Sequence, residues 1–265
     1  MLEIRNLNYN YPGSQFGIKN ISLSIERSKV HGLVGENGAG KSTLFLNTLG
    51  LLKMNSGEIL LDKTPLRFKK DELRDYRTRV NLVMQNPDKQ IFYSNVKDDI
   101  VFPLRNLKRS EEFIEKKLEE LSDKLGIREL LDRPTHALSY GQKKRVAIAG
   151  VLAMEPEYIL FDEPTAGLDP RLTENMRDLI GELKSDGIGI LISSHDMDFI
   201  YDVCDDISVI SKGEIIASGK ESEVFVQKEL LIKAGLREPT LARLHNDAGL
   251  PLFDNMEDLI QYLLK

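Results

Sequence analysis

Residues 35–42, GENGAGKS, match the pattern G-x-x-x-x-G-K-[ST] of loops that hold nucleotide phosphates. Its three glycines allow backbone angles that side chains would forbid, so that amide N–H groups can converge on phosphate oxygens. A helix that begins near Lys41 would point the positive end of its dipole at the same place. We expect Lys41 to reach the β- and γ-phosphates and the Ser42 hydroxyl to bind Mg²⁺.

Residues 158–164, YILFDEP, place two carboxylates at the end of an apolar run that predicts a buried strand. Carboxylates are costly to bury unless they meet a cation. We therefore expect Asp162 to hold Mg²⁺, directly or through water, and Glu163 to take a proton from an attacking water. The alternative is a strand that ends at the surface with two solvated acids.

Residues 138–145, LSYGQKKR, place a serine and a glycine at the start of a predicted helix rich in lysine and arginine. Ser139 and the amide of Gly141 could hold an anion at this helix start. The alternative is a helix that simply has Ser139 as its N-cap.

The composition of the 265 residues is that of a soluble globular protein, with 41% hydrophobic and 29% charged residues. The net charge of -6 argues against nucleic acid as the main partner. The single cysteine, Cys204, is expected to be buried. The first residues lack the features of a signal peptide, and no apolar run reaches the roughly 18 residues that span a bilayer. We therefore expect a cytoplasmic protein, which does not exclude docking onto a membrane protein.

Apolar periodicity divides the chain into alternating strands and helices. Residues 2–25 alternate as half-solvated antiparallel strands do. Further strands are predicted at 30–35, 57–62, 80–85, 158–163, 187–194, 206–211 and 214–219. Helices are predicted from Lys41 onward and at 71–79, 113–127, 141–154, 171–185 and 196–204. Strands that alternate with helices predict an α/β fold with a parallel sheet covered on both faces, into which residues 86–155 form a mostly helical insert.

The tail from about residue 222 is separate in character and ends in a helix with an apolar stripe. The stripe has helical spacing and comprises Met256, Leu259, Ile260, Leu263 and Leu264. Asp254 is the expected cap of this helix. We expect the stripe to pack on its own domain; the alternative is that it faces a partner.

The order of these motifs resembles the ATP-binding cassette (ABC) family of ATPases, over nearly all of residues 1–220. The resemblance rests on GENGAGKST (35–43), Gln85, LSYGQ (138–142), ILFDEP (159–164), AGLD (166–169) and His195. It implies a P-loop NTPase (RecA-like) core with an antiparallel β subdomain, a helical insert and a small C-terminal helical extension. The implied domains are an ATPase domain at 1–221, with its helical subdomain at about 86–155, and an extension at 222–265 that could serve dimerisation.

The resemblance also implies roles for individual residues. Gln85 and His195 join Glu163 as catalytic residues, and Gln85 also contacts Mg²⁺. The implied ATP-binding residues are Tyr11, Gly35, Asn37, Gly38, Ala39, Gly40, Lys41, Ser42 and Thr43. Tyr11 would stack on adenine, with an ordinary strand tyrosine as the alternative and Tyr9 as a competing candidate.

A second set of residues would act on ATP held by a partner subunit. This clamp comprises Ser139, Tyr140, Gly141, Gln142 and Asp169. Tyr140 stands where the family more commonly has glycine, and its side chain must point away from the nucleotide. Two cassettes arranged head to tail would then bury two ATP molecules between them; whether they are identical or related chains is left open.

Segments 85–92, 134–156 and 162–170 resemble ATPase subunits of energy-coupling-factor importers, with the cobalt and nickel branch nearest. That resemblance implies a transmembrane coupling subunit, a substrate-binding membrane subunit and a place on the cytoplasmic face of the membrane. Phe92 and Tyr93 could line the groove for the coupling subunit, or belong to the core of the helical insert. The alternatives are a vitamin-specific importer of the same type and a non-transport cassette that serves a cytosolic assembly.

Overall fold

The computed structural model describes residues 1–14 and 16–264 and contains two sheets. The strands are β1 (Leu2–Asn10), β2 (Gly17–Ile25), β3 (Val30–Val34), β4 (Ser56–Leu61), β5 (Thr64–Pro65), β6 (Val80–Val83), β7 (Tyr158–Asp162), β8 (Gly189–Ser193), β9 (Asp206–Ser211) and β10 (Glu214–Lys220). The helices are α1 (Lys41–Thr48), α2 (Lys70–Arg79), α3 (Val96–Asn106), α4 (Glu111–Lys124), α5 (Tyr140–Ala153), α6 (Pro170–Ser185), α7 (Met197–Val203), α8 (Glu221–Phe225), α9 (Lys228–Lys233), α10 (Thr240–Ala248) and α11 (Met256–Leu263).

The larger sheet has the strand order β10-β9-β3-β8-β7-β6. Its neighbours pair in parallel from β9 to β6, whereas β10 pairs antiparallel with β9. Strands β3 and β8 are buried at every position, as expected of strands covered on both faces. The prediction of a parallel sheet is thus confirmed for five strands. The strand β10 was also predicted, but its antiparallel pairing with β9 was not.

The smaller sheet has the order β2-β1-β4-β5 and is antiparallel throughout. The alternating pattern of residues 2–25 is confirmed, because β1 and β2 form a hairpin with one buried face. That face packs with α1 against one side of the larger sheet, in a cluster that includes Leu7, Phe45 and Leu160. The second cluster lies on the other side of the larger sheet, where Phe161 meets the helices. The side chains of residues 160 and 161 in β7 therefore pack in the clusters on opposite sides of the sheet, because successive side chains of a strand point to opposite faces.

Three helices, α3, α4 and α5, occupy the segment predicted to be a helical insert. Cys204 is buried, as expected. No helix among the described residues combines the length and the apolar character needed to cross a bilayer.

The tail differs from its prediction in two respects. The N-cap of α11 is Asn255, whose side chain accepts from the Asp258 amide at 2.9 Å, so the expected cap at Asp254 is wrong by one residue. Of the five stripe residues only Leu259 is buried, whereas Leu263 and Leu264 are 63% and 77% exposed. The expectation that the stripe packs on its own domain is therefore wrong, because this chain offers a surface to only one edge of the helix.

Candidate active site

The phosphate-binding segment joins β3 to α1 at the carboxyl edge of the parallel sheet. Gly38 and Gly40 have φ angles of 83° and 116°, in a region that favours glycine. A Cβ atom at Gly40 would lie 2.7 Å from a methyl group of Ile18, so space as well as conformation requires glycine there. As the N-cap of α1, Gly40 has no side chain to occupy the first amides of the helix, which leaves them available to an anion.

Lys41 is the first residue of α1 and is buried. Its Nζ donates to the carbonyl oxygens of Gly35 at 2.5 Å and Glu36 at 3.2 Å, so the side chain folds back over the loop. Burial lowers the pKa of Lys41, and the carboxylates of Glu163 and Asp162 oppose this effect. The arrangement places an ammonium group where phosphate oxygens would approach the loop.

Asp162 ends β7 beside the start of α1. Ser42 Oγ donates to its Oδ2 at 3.0 Å, and Ser193 Oγ donates to its Oδ1 at 2.6 Å. Three elements, α1, β7 and β8, thus meet at one carboxylate. The hydroxyl and carboxylate oxygens of Ser42 and Asp162 are hard ligands of the kind that Mg²⁺ accepts alongside phosphate oxygens and water, so these residues fit the ion.

Glu163 follows β7 and is buried at the edge of the same site. Its backbone adopts a φ of 48°, and its amide donates to the Ser193 carbonyl at 3.0 Å. Its Oε2 lies 2.7 Å from Nδ1 of His195 and accepts from the His195 amide at 3.3 Å. The carboxylate is therefore held from the loop that follows β8, while the His195 side chain remains 68% exposed.

A cavity of about 640 Å³ lies over the phosphate loop. Its walls include Gln85, Asp162, Glu163 and His195, as the sequence predicted, together with the loop glycines, Lys41, Ser42 and Thr43. Residues 235–237 of the tail also line it, as do Phe16 and Met197. No motif placed these residues at the ATP site; the tail reaches the cavity only through tertiary packing.

Tyr11 lies one layer behind the cavity wall. Its ring stacks on Phe16 at a centroid distance of 5.9 Å, and its hydroxyl lies 3.3 Å from Thr43 Oγ1. Tyr9 is buried and meets Tyr11 edge to face at 5.0 Å. The aromatic side chain that faces the cavity is therefore Phe16, backed by the tyrosine that the sequence singled out.

The LSYGQ segment lies outside this cavity. Ser139 caps α5, because its Oγ accepts from the Gln142 amide at 3.3 Å while Gln142 Oε1 accepts from the Ser139 amide at 2.8 Å. Ser139 could therefore be a simple helix N-cap or part of an anion site, since both use the same end of a helix. Asp169 likewise caps α6, accepting from the Leu172 amide at 2.8 Å.

Lys144 is a residue that the sequence analysis missed. It is 1% exposed, and its Nζ donates to the carbonyls of Met84, Gln85 and Glu163. Burial lowers its pKa to about 8, an effect opposed by the carboxylates of Asp162 and Glu163. Its only signal in the sequence was a place in the basic run KKR, where lysine is usually solvated.

Known proteins share the sequence pattern of this chain. The ABC transporter family matches residues 18–166. An energy-coupling factor transporter ATP-binding protein of Clostridium perfringens, EcfA3, is 43% identical over 245 residues, which cover 92% of this chain and 86% of that protein. EcfA of Methanothermobacter thermautotrophicus is 42% identical over 246 residues, 93% of this chain and 79% of that protein.

Solved structures show the same fold. CbiO1 of Clostridium perfringens, described as part of the ABC transporter complex cbiONQ, has a TM-score of 0.79 and 42% identity and covers 92% of this chain and 97% of its own. The ATP-binding cassette MJ0796, in a dimeric post-hydrolysis state with ADP and Pi, has a TM-score of 0.75 and 26% identity, over 83% of this chain and 99% of its own. The chain therefore belongs to the ABC transporter family, as an ATP-binding cassette of the energy-coupling factor type that hydrolyses ATP in support of transport.

Proposed function

We propose that this ATPase energises an importer of the energy-coupling factor type that carries cobalt or nickel ions. The importer type is supported by the relatives named as energy-coupling factor proteins. The cargo rests on the resemblance of segments 85–92, 134–156 and 162–170 to the cobalt and nickel branch. A vitamin-specific importer of the same type is the alternative cargo class.

The proposed mechanism of ATP hydrolysis rests on the position of Glu163. Its buried carboxylate lies on the wall of the cavity that also contains the phosphate loop, and His195 holds it from one side. A carboxylate in this place can accept the proton of a water that attacks the γ-phosphate. Lys41 and the amides of the loop stabilise the charge on the phosphate oxygens, and Gln85 lies where it can orient the water.

Magnesium completes the proposed site. Ser42 and Asp162 would hold the ion, with Gln85 on the same cavity wall. When bound, the ion neutralises charge on the β- and γ-phosphates. Within the protein, Ser193 fixes the orientation of the Asp162 carboxylate through its 2.6 Å hydrogen bond.

A second cassette is the proposed partner at the ATP site. Ser139 is exposed at the start of α5, whereas Gly141, two residues further on, is buried, and neither residue lines the cavity of its own chain. We infer that they close the ATP site of a facing cassette, which in turn closes this one. The exposed face of α11, with Ile260, Leu263 and Leu264, is proposed to pack on the second cassette and hold the pair together.

The membrane partner is proposed to dock on the aromatic cluster of Phe92, Tyr93 and Phe102. The three side chains are 81%, 40% and 37% exposed, and the rings of Tyr93 and Phe102 lie 5.0 Å apart. They follow the segment that begins with Gln85, so a partner seated there would touch the segment that enters the ATP site. Because large apolar side chains exposed together are typical of interfaces, we assign this cluster to a transmembrane coupling subunit. The ATPase would then lie on the cytoplasmic face of the membrane.

Purification from detergent-solubilised membranes of the native host tests the proposal. A tagged chain is expected to retain integral membrane proteins, and Phe92→Glu is expected to lose them while the purified cassette still hydrolyses ATP. The matched control is Leu51→Glu, which places the same charge at another exposed apolar residue. Retention of soluble proteins alone would favour a non-transport cassette, the second candidate function.

Uptake measurements decide the cargo. Cells in which this chain carries Glu163→Gln should lose accumulation of radioactive cobalt or nickel at low external concentration. If ion uptake persists while uptake of a vitamin is lost, the cargo assignment is wrong and the importer type stands.

A further inference from the structure

One carbonyl oxygen, that of Gln85, accepts hydrogen bonds from two side chains of α5. The Tyr140 hydroxyl donates to it at 2.8 Å and Lys144 Nζ at 3.0 Å. The two residues are four apart, so their side chains leave the same face of the helix. The backbone of the segment that carries Gln85 into the ATP site is thus attached to α5 at two neighbouring points.

Lys144 extends the attachment to the backbone of Glu163, the residue that carries the catalytic carboxylate. Its ammonium group also donates to the carbonyls of Met84 at 3.1 Å and Glu163 at 3.4 Å. An ammonium group buried to this degree is costly unless its hydrogen bonds are made, and here three carbonyl oxygens supply them. A lysine at this place therefore fixes the positions of two loops relative to α5, which an apolar side chain of similar volume would not do.

Tyr140 adds a third contact with the region that ends at Asp169. A Cβ atom placed on Gly167 would lie 3.1 Å from Cε1 of Tyr140, so the ring covers the backbone there. Gly167 has a φ of 75°, which together with this contact favours glycine. The side chain at the position where the family more commonly has glycine is therefore directed into its own chain, onto Gln85 and Gly167.

We propose that Tyr140 and Lys144 are positioning residues that link the two ATP sites of a cassette pair. The inference rests on the proposed function, in which the Ser139 end of α5 closes the partner's ATP site. When that end binds the partner's nucleotide, the position of α5 is fixed. The hydrogen bonds from α5 to the backbone of Gln85 and Glu163 then fix these two catalytic residues in the ATP site of the same chain. ATP bound at one site thereby prepares hydrolysis at the other.

The link predicts cooperative hydrolysis. The wild-type pair should show a Hill coefficient well above that of independent sites, up to a limit of about 2 for two sites. Tyr140→Phe removes one hydroxyl, and Lys144→Met removes the ammonium group at similar volume. Each should lower kcat roughly tenfold, because Gln85 and Glu163 lose their fixed position, and the double variant should hydrolyse ATP without cooperativity.

Two measurements decide the proposal: the Hill coefficient of ATP hydrolysis, and whether a variant lowers kcat without changing its affinity for nucleotide. Affinity for a fluorescent ATP analogue should stay within about twofold, because the phosphate loop is untouched, and Lys144→Arg should restore part of the cooperativity. Tyr76→Phe is the matched control, since its hydroxyl also donates to a carbonyl, that of Thr48 at 2.7 Å, and its ring packs on the opposite side of the larger sheet from α5. Lys116→Met, at an exposed lysine of α4, is the control for the loss of charge.

Thermal melting of each variant separates positioning from folding. A purely structural role would lower the melting temperature and all rates while leaving the Hill coefficient unchanged. A double variant that is folded and as cooperative as the wild type would overturn the link and leave the proposed pairing intact. Wild-type protein that neither pairs with ATP nor shows cooperativity would overturn both the link and the cassette pair.

Discussion

The imidazole Nδ1 of His195 lies 2.7 Å from Oε2 of Glu163. The two residues follow adjacent parallel strands, β7 and β8, so the sheet itself brings them together. The histidine side chain is largely exposed, whereas the carboxylate is buried. A phosphate group in the cavity could therefore contact the solvent-exposed side of the imidazole.

Glu163→Gln should reduce ATP hydrolysis about a hundredfold or more, because the amide cannot accept the proton of the attacking water. ATP should still bind, and a stable ATP-bound dimer should accumulate in size-exclusion chromatography. Glu115→Gln, at an exposed position of α4, is the control and should behave as wild type. Hydrolysis at the wild-type rate by Glu163→Gln would show that another group is the base.

Ser42→Ala should raise the Mg²⁺ concentration for half-maximal hydrolysis roughly tenfold or more, because it removes one of the proposed oxygen ligands. The measurement is a magnesium titration of the ATPase rate at saturating ATP. Ser222→Ala, in α8, provides the comparison and should leave the titration unchanged. An unaltered magnesium requirement in Ser42→Ala would remove Ser42 from the metal site.

Leu263→Glu combined with Leu264→Glu should weaken pairing of nucleotide-free cassettes. Losing the burial of one leucine costs about 2 kcal/mol, so losing both should cost about 4 kcal/mol, which corresponds to a roughly thousandfold higher dissociation constant. Sedimentation velocity over a range of concentrations measures this constant, and Gln261→Glu adds a charge to the same helix as a control. If the double variant pairs as well as the wild type, α11 does not contribute to the dimer.

Protonation of the buried His31 should lower the free energy of unfolding in acid. Burial lowers its pKa from 6.5 to about 4, although the Asp206 carboxylate opposes the shift, and its Nε2 lies 2.9 Å from Ser208 Oγ. Between these two pH values the unfolded chain binds a proton that the folded protein does not. The free energy of unfolding should therefore fall as the pH falls through this window, by about 3 kcal/mol in total.

Urea unfolding at pH 7 and pH 4 measures this effect against His31→Gln, which lacks the titrating group. Wild type should lose about 3 kcal/mol more than the variant over that range. His136→Gln, at an exposed histidine, should follow the wild type. Equal losses in wild type and His31→Gln would mean that the buried histidine does not control acid stability.

Much of the site was predictable because its chemistry is local in sequence. Glycines at 38 and 40, Lys41 and Ser42 share one loop, and the apolar run before Asp162 and Glu163 marks a buried strand. Parallel strands end at one edge of a sheet, so the two motifs had to meet. The family and most of the strands and helices followed from such short-range patterns, whereas α3, α8, α9, α10 and the two-residue strand β5 were not predicted.

Other residues could not be predicted, because their roles depend on contacts between distant segments. Ser193 orients Asp162 only because β7 and β8 are neighbours, and the tail lines the cavity through Arg237 and its two predecessors. The stripe on α11 showed helical spacing but not which surface would cover it.

The sequence by itself determined the phosphate loop, the paired carboxylates and the membership of the ABC family, since these depend on residue types at fixed short spacings. Only the tertiary structure decided that Lys144 is buried against three carbonyls and that Tyr140 holds Gln85. A basic or aromatic residue at a helix start is compatible with solvent, partner or core. Packing selects among these, because it alone determines which backbone oxygens are left for the side chain to bind.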